Sequence, residues 1–172
     1  MTDVLPWLDY HWNFDFPVGM FRGLIERLRG TPARIEEILR GIQRGRMTRR
    51  HGSAWSAQEH AGHLISVEHL WRSRLDEFRR GAATLTAADM GNRATSEGRY
   101  NERDVASILA EFRTIRAATV RDLDGLDLDA AARTAHHPRL DRPMRLVDLC
   151  HFAAEHDDHH LALIHELLRD SS

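Results

Sequence analysis

The sequence predicts an all-α protein, a four-helix bundle with long crossover connections. Three observations carry that expectation. Four segments place apolar residues at the three-and-four spacing of a buried helical face. No stretch alternates apolar and polar residues convincingly enough to be a strand. Two connections, residues 82–100 and 127–144, are longer than a simple up-down-up-down bundle needs. Loops of that length in a compact domain are often functional or topologically required.

Residues 1–17 come first, and the aromatic-rich WLDYHWNFDFP that ends at Pro17 reads as an extended lead-in across the body. Its Trp7 and Trp12 are candidates to cover a site mouth, although core packing is the simpler expectation for an aromatic cluster. The first helix draws on Phe21, Leu24, Ile25, Leu28, Ile35, Ile38, Leu39 and Ile42. Gly30-Thr31-Pro32 interrupts it. Thr31 can cap and Pro32 suits a first turn, so this is one kinked helix or two stacked ones. RGRMTRRHGSAW then reads as a polar loop.

The second helix opens at Ser56, which forms a capping box with Glu59. Its stripe is Ala57, Ala61, Leu64, Val67, Trp71, Leu75 and Phe78, and it stops near Gly81. The third helix starts after Asn101 with Asp104 as a cap. Val105, Ile108, Leu109, Phe112, Ile115, Thr119, Leu123 and Leu126 run down one face. The fourth runs from about Arg145 to Arg169.

With 172 residues, one domain with a real core suffices. The formal net charge is −2, so the composition indicates no polybasic surface for nucleic acid. All 24 basic residues are arginine. Cys150 is the single cysteine, which excludes a disulfide within the chain and suits a reducing compartment. MTDVLPWLDY lacks the basic and apolar regions of a signal peptide, and no apolar run approaches the roughly 18 residues of a membrane span. A cytoplasmic protein with no membrane partner is expected.

The histidines are the chemical signal. On a helical wheel of about 100° per residue, Leu146, Leu149, Ala153, Leu163, Ile164 and Leu167 cluster on one side of the fourth helix. His156 and His160 fall in the middle of that arc, His159 on its flank, and His151 and His165 point toward solvent. Two imidazoles four residues apart stack one turn apart, about 5–6 Å between Cβ atoms, the spacing by which His-x-x-x-His chelates a metal. A lone core histidine is usually just hydrogen-bonded. Two facing inward need partners, because burying polar rings is unfavourable unless both are satisfied. On the second helix His69 faces outward, His60 lies nearest the stripe centre and His63 on its edge. The wheel slightly prefers His60 as a third ligand and leaves His63 open. Three histidines would leave coordination positions free, as in a catalytic site. Cys150 reads as packing.

AWSAQEHAGHL (54–64), HHPRL (136–140) and AEHDDHHLALIHEL (154–167) resemble the DinB/YfiT-like superfamily of bacterial metal-binding four-helix bundles. The resemblance spans nearly the whole chain, including RLRGTPARIEEILRGI (27–42) and YNERDVASILAEFRTIR (100–116). It implies an up-down-down-up bundle and a homodimer. In that family the helix-two ligand follows the tryptophan by eight positions, which from Trp55 is His63. The resemblance therefore implies His63, His156 and His160 as metal ligands, and His137-Pro138 as the family's element before the fourth helix. Its characterised relatives imply a low-molecular-weight thiol cosubstrate, through thiol S-transferases and a thiol-dependent isomerase. Many other members carry only the description of metal-dependent hydrolase. A shared fold does not fix chemistry.

An open three-histidine site can activate water, bind a thiol as thiolate or polarise an electrophile. Imidazole ligands suit several divalent metals, and zinc or nickel is expected. No carboxylate is obviously placed as a general base: Asp157 lies toward the edge of the core face, Asp158 points outward and Glu59 is engaged in its cap. The reading therefore favours thiol transfer to a small-molecule electrophile. Its alternatives are small-molecule hydrolysis or a non-catalytic metal-binding bundle. Paired Glu-x-x-His motifs of di-iron bundles are absent. Glu155, Asp157 and Asp158 are candidates to hold the outer N–H groups of the ligands. His136, His137 and Arg139 are candidates to line the entrance and bind an anionic thiol or substrate.

Overall fold

The computed structural model describes residues 3–169. The lead-in is extended apart from single turns at Trp7–Asp9 and Val18–Met20. Helix α1 (Phe21–Leu39) continues unbroken through Pro32. Proline has no N–H, so the Leu28 carbonyl four residues back loses its helical donor. Arg116 supplies one from across the bundle, Nη1 to O at 3.1 Å. Thr31 caps nothing; it sits inside the helix and its hydroxyl donates to Asp157 at 2.7 Å.

A short helix α2 (Arg44–Met47) interrupts the expected polar loop and buries Met47. Helix α3 (Ala57–Arg79) opens on the capping box, with Glu59 N–H to Ser56 Oγ at 3.1 Å and Ser56 N–H to Glu59 Oε2 at 3.0 Å. The following connection holds α4 (Arg93–Glu97), and α5 (Val105–Asp124) then starts on the Asp104 cap. After α6 (Leu128–Ala132), a hairpin forms from β1 (Thr134–His137) and β2 (Arg142–Arg145), antiparallel with His137 opposite Arg142. The sequence predicts no strand here. Four residues a side are too few for alternation to register, and the pairing depends on the partner strand and on Thr84, which bridges to His136. Helix α7 (Leu146–Arg169) is the last element among the described residues.

Long-range contacts establish the topology of α1, α3, α5 and α7. Gln58 near the start of α3 donates to the carbonyl of Arg103 just before α5, and Arg79 at the end of α3 donates to that of Asp122 near the end of α5. These two helices are parallel. Arg27 pairs with Glu155 and Arg34 with Asp158, so α1 and α7 are parallel too. Arg29 pairs with Asp124 and Arg113 with Glu36, so α1 and α5 are antiparallel. The order is up-down-down-up. Because α3 and α5 run the same way, residues 80–104 must return along the bundle, which explains their length. Gly62 gives that segment room: a Cβ there would fall 2.1 Å from Tyr100 Cγ.

Two apolar clusters form the core, one around Trp71, Leu75 and Phe152, the other around Leu64, Ile108 and Ile164. A polar layer separates them along the helices. In it Arg116 bonds Glu68 and both carboxylate oxygens of Asp157, all three side chains buried. Among the described residues, no helix is long and apolar enough to cross a membrane.

Candidate metal centre

The antiparallel contact of α3 with α7 brings His63, His156 and His160 together at the level where the two apolar clusters part. His63 Nε2 lies 3.4 Å from His156 Nε2, and His160 Nε2 lies 3.2 Å from His156 Nε2. A cation about 2.0–2.1 Å from two imidazole nitrogens at a tetrahedral angle holds them about 3.3–3.4 Å apart. The spacing fits. Three ring nitrogens facing one another are poor mutual hydrogen-bond partners, whereas three lone pairs directed at one point suit a cation. Among the described residues these three form the one group of histidine, cysteine or acidic side chains so arranged.

The outer nitrogens complete the picture. With Nε2 as the ligand atom, each ring carries its proton on Nδ1. His63 Nδ1–H donates to Thr95 Oγ1 at 2.8 Å, and His160 Nδ1–H donates to His60 Nδ1 at 2.9 Å. His60, the wheel's mild preference, thus stands behind a ligand and orients its ring. His156 Nδ1 is buried with no hydrogen-bond partner among the described residues, its ring edge-on to Trp7 at 5.0 Å between centroids. Burial is the first cause that keeps these rings neutral, with mutual repulsion added. It pushes His63 down to about 3 and His60 to about 4, and His156 and His160 well below their usual range. Neutral imidazole is the metal-binding form.

The acids do not serve as expected. Asp157 is turned toward α5 and α1, where Arg116 and Thr31 hold it. Glu155 and Asp158 pair with Arg27, and Asp158 also with Arg34. Glu59 pairs with Arg50 beside its cap. None bonds a ligand ring. His151 departs from its predicted solvent position: the lead-in covers it, and Phe16 stacks on it at 5.2 Å. His159 is buried and packs near Trp7 and Tyr10, while His165 is exposed. Cys150 is buried, and burial raises its thiol to about 12, which makes it packing.

His63, His156 and His160 line a cavity of about 260 Å³. Its walls include Trp7, Trp55, Trp71 and Phe152. Trp7 therefore lines the cavity, and Trp12 packs on Phe152 in the core, 4.5 Å between centroids. His137 and Arg139 from the hairpin reach the cavity, as does Arg74 of α3. His136 stays outside, half-exposed beside Asp141. Sequence reasoning missed Arg74, Glu68 and Arg116, though each interrupts an apolar stripe at helical spacing. Thr95 had no such signal, because only the return of residues 80–104 brings it to His63.

No curated protein matches the sequence. Among solved structures, the chain is similar to YfiT from Bacillus subtilis, "a probable metal-dependent hydrolase with an unusual four-helix bundle topology", with a TM-score of 0.80 and 18% identity over 94% of this chain and 93% of that one. That likeness establishes the fold. The sequence itself goes further: residues 27–164, which include all three convergent histidines, match the model of the DinB superfamily, and the chain belongs to that family.

Proposed function

We propose that His63, His156 and His160 bind one divalent cation, zinc or nickel, and that the adjoining cavity hosts transfer of a low-molecular-weight thiol to a small-molecule electrophile. A cation held there supplies Lewis-acid polarisation and favours the anionic form of a nucleophile that reaches it. The observation that carries the reading is the convergence of three neutral, buried imidazoles with, among the described residues, no carboxylate left unpaired beside them. Hydrolysis usually engages a positioned general base. Here Glu59, Glu68 and Asp157 are each committed to an arginine. A thiolate is a nucleophile without that help. The protein's own groups then have defined tasks. Thr95 and His60 orient two of the ligand rings, and the aromatic walls limit water at the reacting atoms.

A second reading is small-molecule hydrolysis. The fold likeness to YfiT favours it, and so does His159, a buried imidazole lining the cavity with Nδ1 unpaired. Its burial lowers its pKa, leaving the neutral ring able to accept a proton.

Elemental analysis of untagged protein, beside His63→Ala and His160→Ala, tests the metal. About one equivalent is expected in the wild type and none in either variant, with the helical CD signal kept. Thiol consumption with a haloalkane electrophile, run beside ester hydrolysis without thiol, then separates the two reactions. No metal in the wild type after reconstitution would sink both readings.

A further inference from the structure

The cavity beside the three histidines carries more cationic and donor groups than its own acceptors can satisfy. Arg74 is 1% exposed and directs Nε and Nη2 to the carbonyl of Thr86 at 3.0 and 2.9 Å, with no carboxylate hydrogen-bonded to it among the described residues. Arg139, in the hairpin turn, lies over Phe152 at 5.4 Å, and its Nη2 is buried without a hydrogen-bond partner among the described residues. His137 is 1% exposed. Leu140 N–H donates to its Nδ1 at 3.2 Å, so the neutral ring carries its proton on Nε2, also buried and unpartnered. Trp71 Nε1–H is in the same condition. The acid lining this cavity among the described residues, Asp89, is occupied by the Arg93 side chain and by the N–H groups of Gly91 and Arg93. Buried donors are nearly always paired, so a group of unpaired ones in a cavity indicates an acceptor that arrives from outside.

We propose that Arg74, Arg139, His137 and Trp71 bind the carboxylate of an organic acid, whose apolar body lies along Val67, Leu70 and Phe152. This rests on the reading of the cavity as the reaction site and names the class of molecule that enters it. A carboxylate carries one negative charge and accepts several hydrogen bonds in its plane, which guanidinium and single N–H donors match. A phosphate dianion would bring a second charge and a third oxygen toward the apolar wall of Val67, Leu70 and Phe152. Burial, and then the charges of Arg74 and Arg139, push His137 down to about 4. Its ring therefore stays neutral at pH 7, with Nε2–H available as a donor.

The test titrates phenylacetate, phenylacetamide and inorganic phosphate into the full chain, zinc-free and zinc-loaded, by calorimetry and tryptophan fluorescence. Phenylacetate should bind both forms at least about tenfold tighter than the uncharged amide, the scale of one charge-assisted hydrogen bond. Arg139→Met should lose that preference with CD and zinc content unchanged, and Arg139→Lys should restore part of it. His137→Phe gives a second route should Arg139→Met fold poorly. Equal affinity for acid and amide would overturn the proposal. So would tighter binding of phosphate, or acid binding that needs zinc and ignores Arg139. Zinc content of the same samples reports on the three-histidine site independently. Loss of that site alone would leave phenylacetate binding in the zinc-free protein.

Discussion

Replacing Arg116 with methionine would test the polar layer that divides the core. Arg116 is 1% exposed and Glu68 and Asp157 are 0% exposed. The guanidinium bonds Glu68 at 2.8 Å and Asp157 at 2.5 and 3.1 Å, and it supplies the donor that Pro32 denies to Leu28. Removing one partner of a buried ion pair costs about 3–5 kcal/mol. Orphaning the Leu28 carbonyl adds about 1–3 kcal/mol. Arg116→Met should therefore cost about 4 kcal/mol or more, a large share of the about 5–15 kcal/mol that stabilises a domain. The triple variant Arg116→Met/Glu68→Leu/Asp157→Leu removes every charge and should recover most of the loss, because apolar replacement of a whole buried cluster is often near neutral. Thr31 would then turn its hydroxyl to the Arg27 carbonyl, already 3.3 Å away. Adding Pro32→Ala returns a helical N–H to Leu28 and should recover part of the remainder. Urea denaturation of metal-free protein, followed by far-UV CD, reads all three. A single variant costing under about 1 kcal/mol, or a triple variant no more stable than the single, would refute the reasoning.

Two further outcomes follow from the histidines. His60→Phe removes the hydrogen bond behind His160 and should weaken metal affinity by about 10–100-fold with the fold kept; competition with a chromophoric chelator measures it, and unchanged affinity would deny His60 an orienting role. Stability of the metal-free protein should fall as pH drops below 6.5. His60 and His137 are held down to about 4 in the folded chain, so the unfolded chain takes up protons first. The loss accrues between pH 6.5 and about 4, at up to about 1.4 kcal/mol per pH unit for each histidine, and the effect is absent above that window. Urea midpoints at pH 7.5, 6 and 5 check it, and a flat profile would contradict the burial of these rings in neutral form.

Helix existence was legible because periodicity is a local property of the chain. The stripes through Phe21, Leu64, Phe112 and Ile164 each mark a face that must be buried, and each proved to be core. The same logic brought out His156 and His160, polar rings inside an apolar arc. Helix ends were legible where a side chain bonds its own backbone, as at Ser56 and Asp104. The hairpin was not, because strand pairing is settled by the partner and not by four residues alone.

Residue spacing alone specifies four amphipathic helices with imidazoles on an inward face. What those imidazoles touch depends on how the helices pack. His60 and His63 are both buried on one helix, about 60° apart on the wheel. They differ because the antiparallel approach of α7 sets His63 Nε2 toward His156 and His60 Nδ1 toward His160, a hundred residues away in the chain. Asp157, next in sequence to a ligand, points instead at Arg116. Spacing along one helix specifies a direction. A site needs a distance, and that is fixed only when two helices pack.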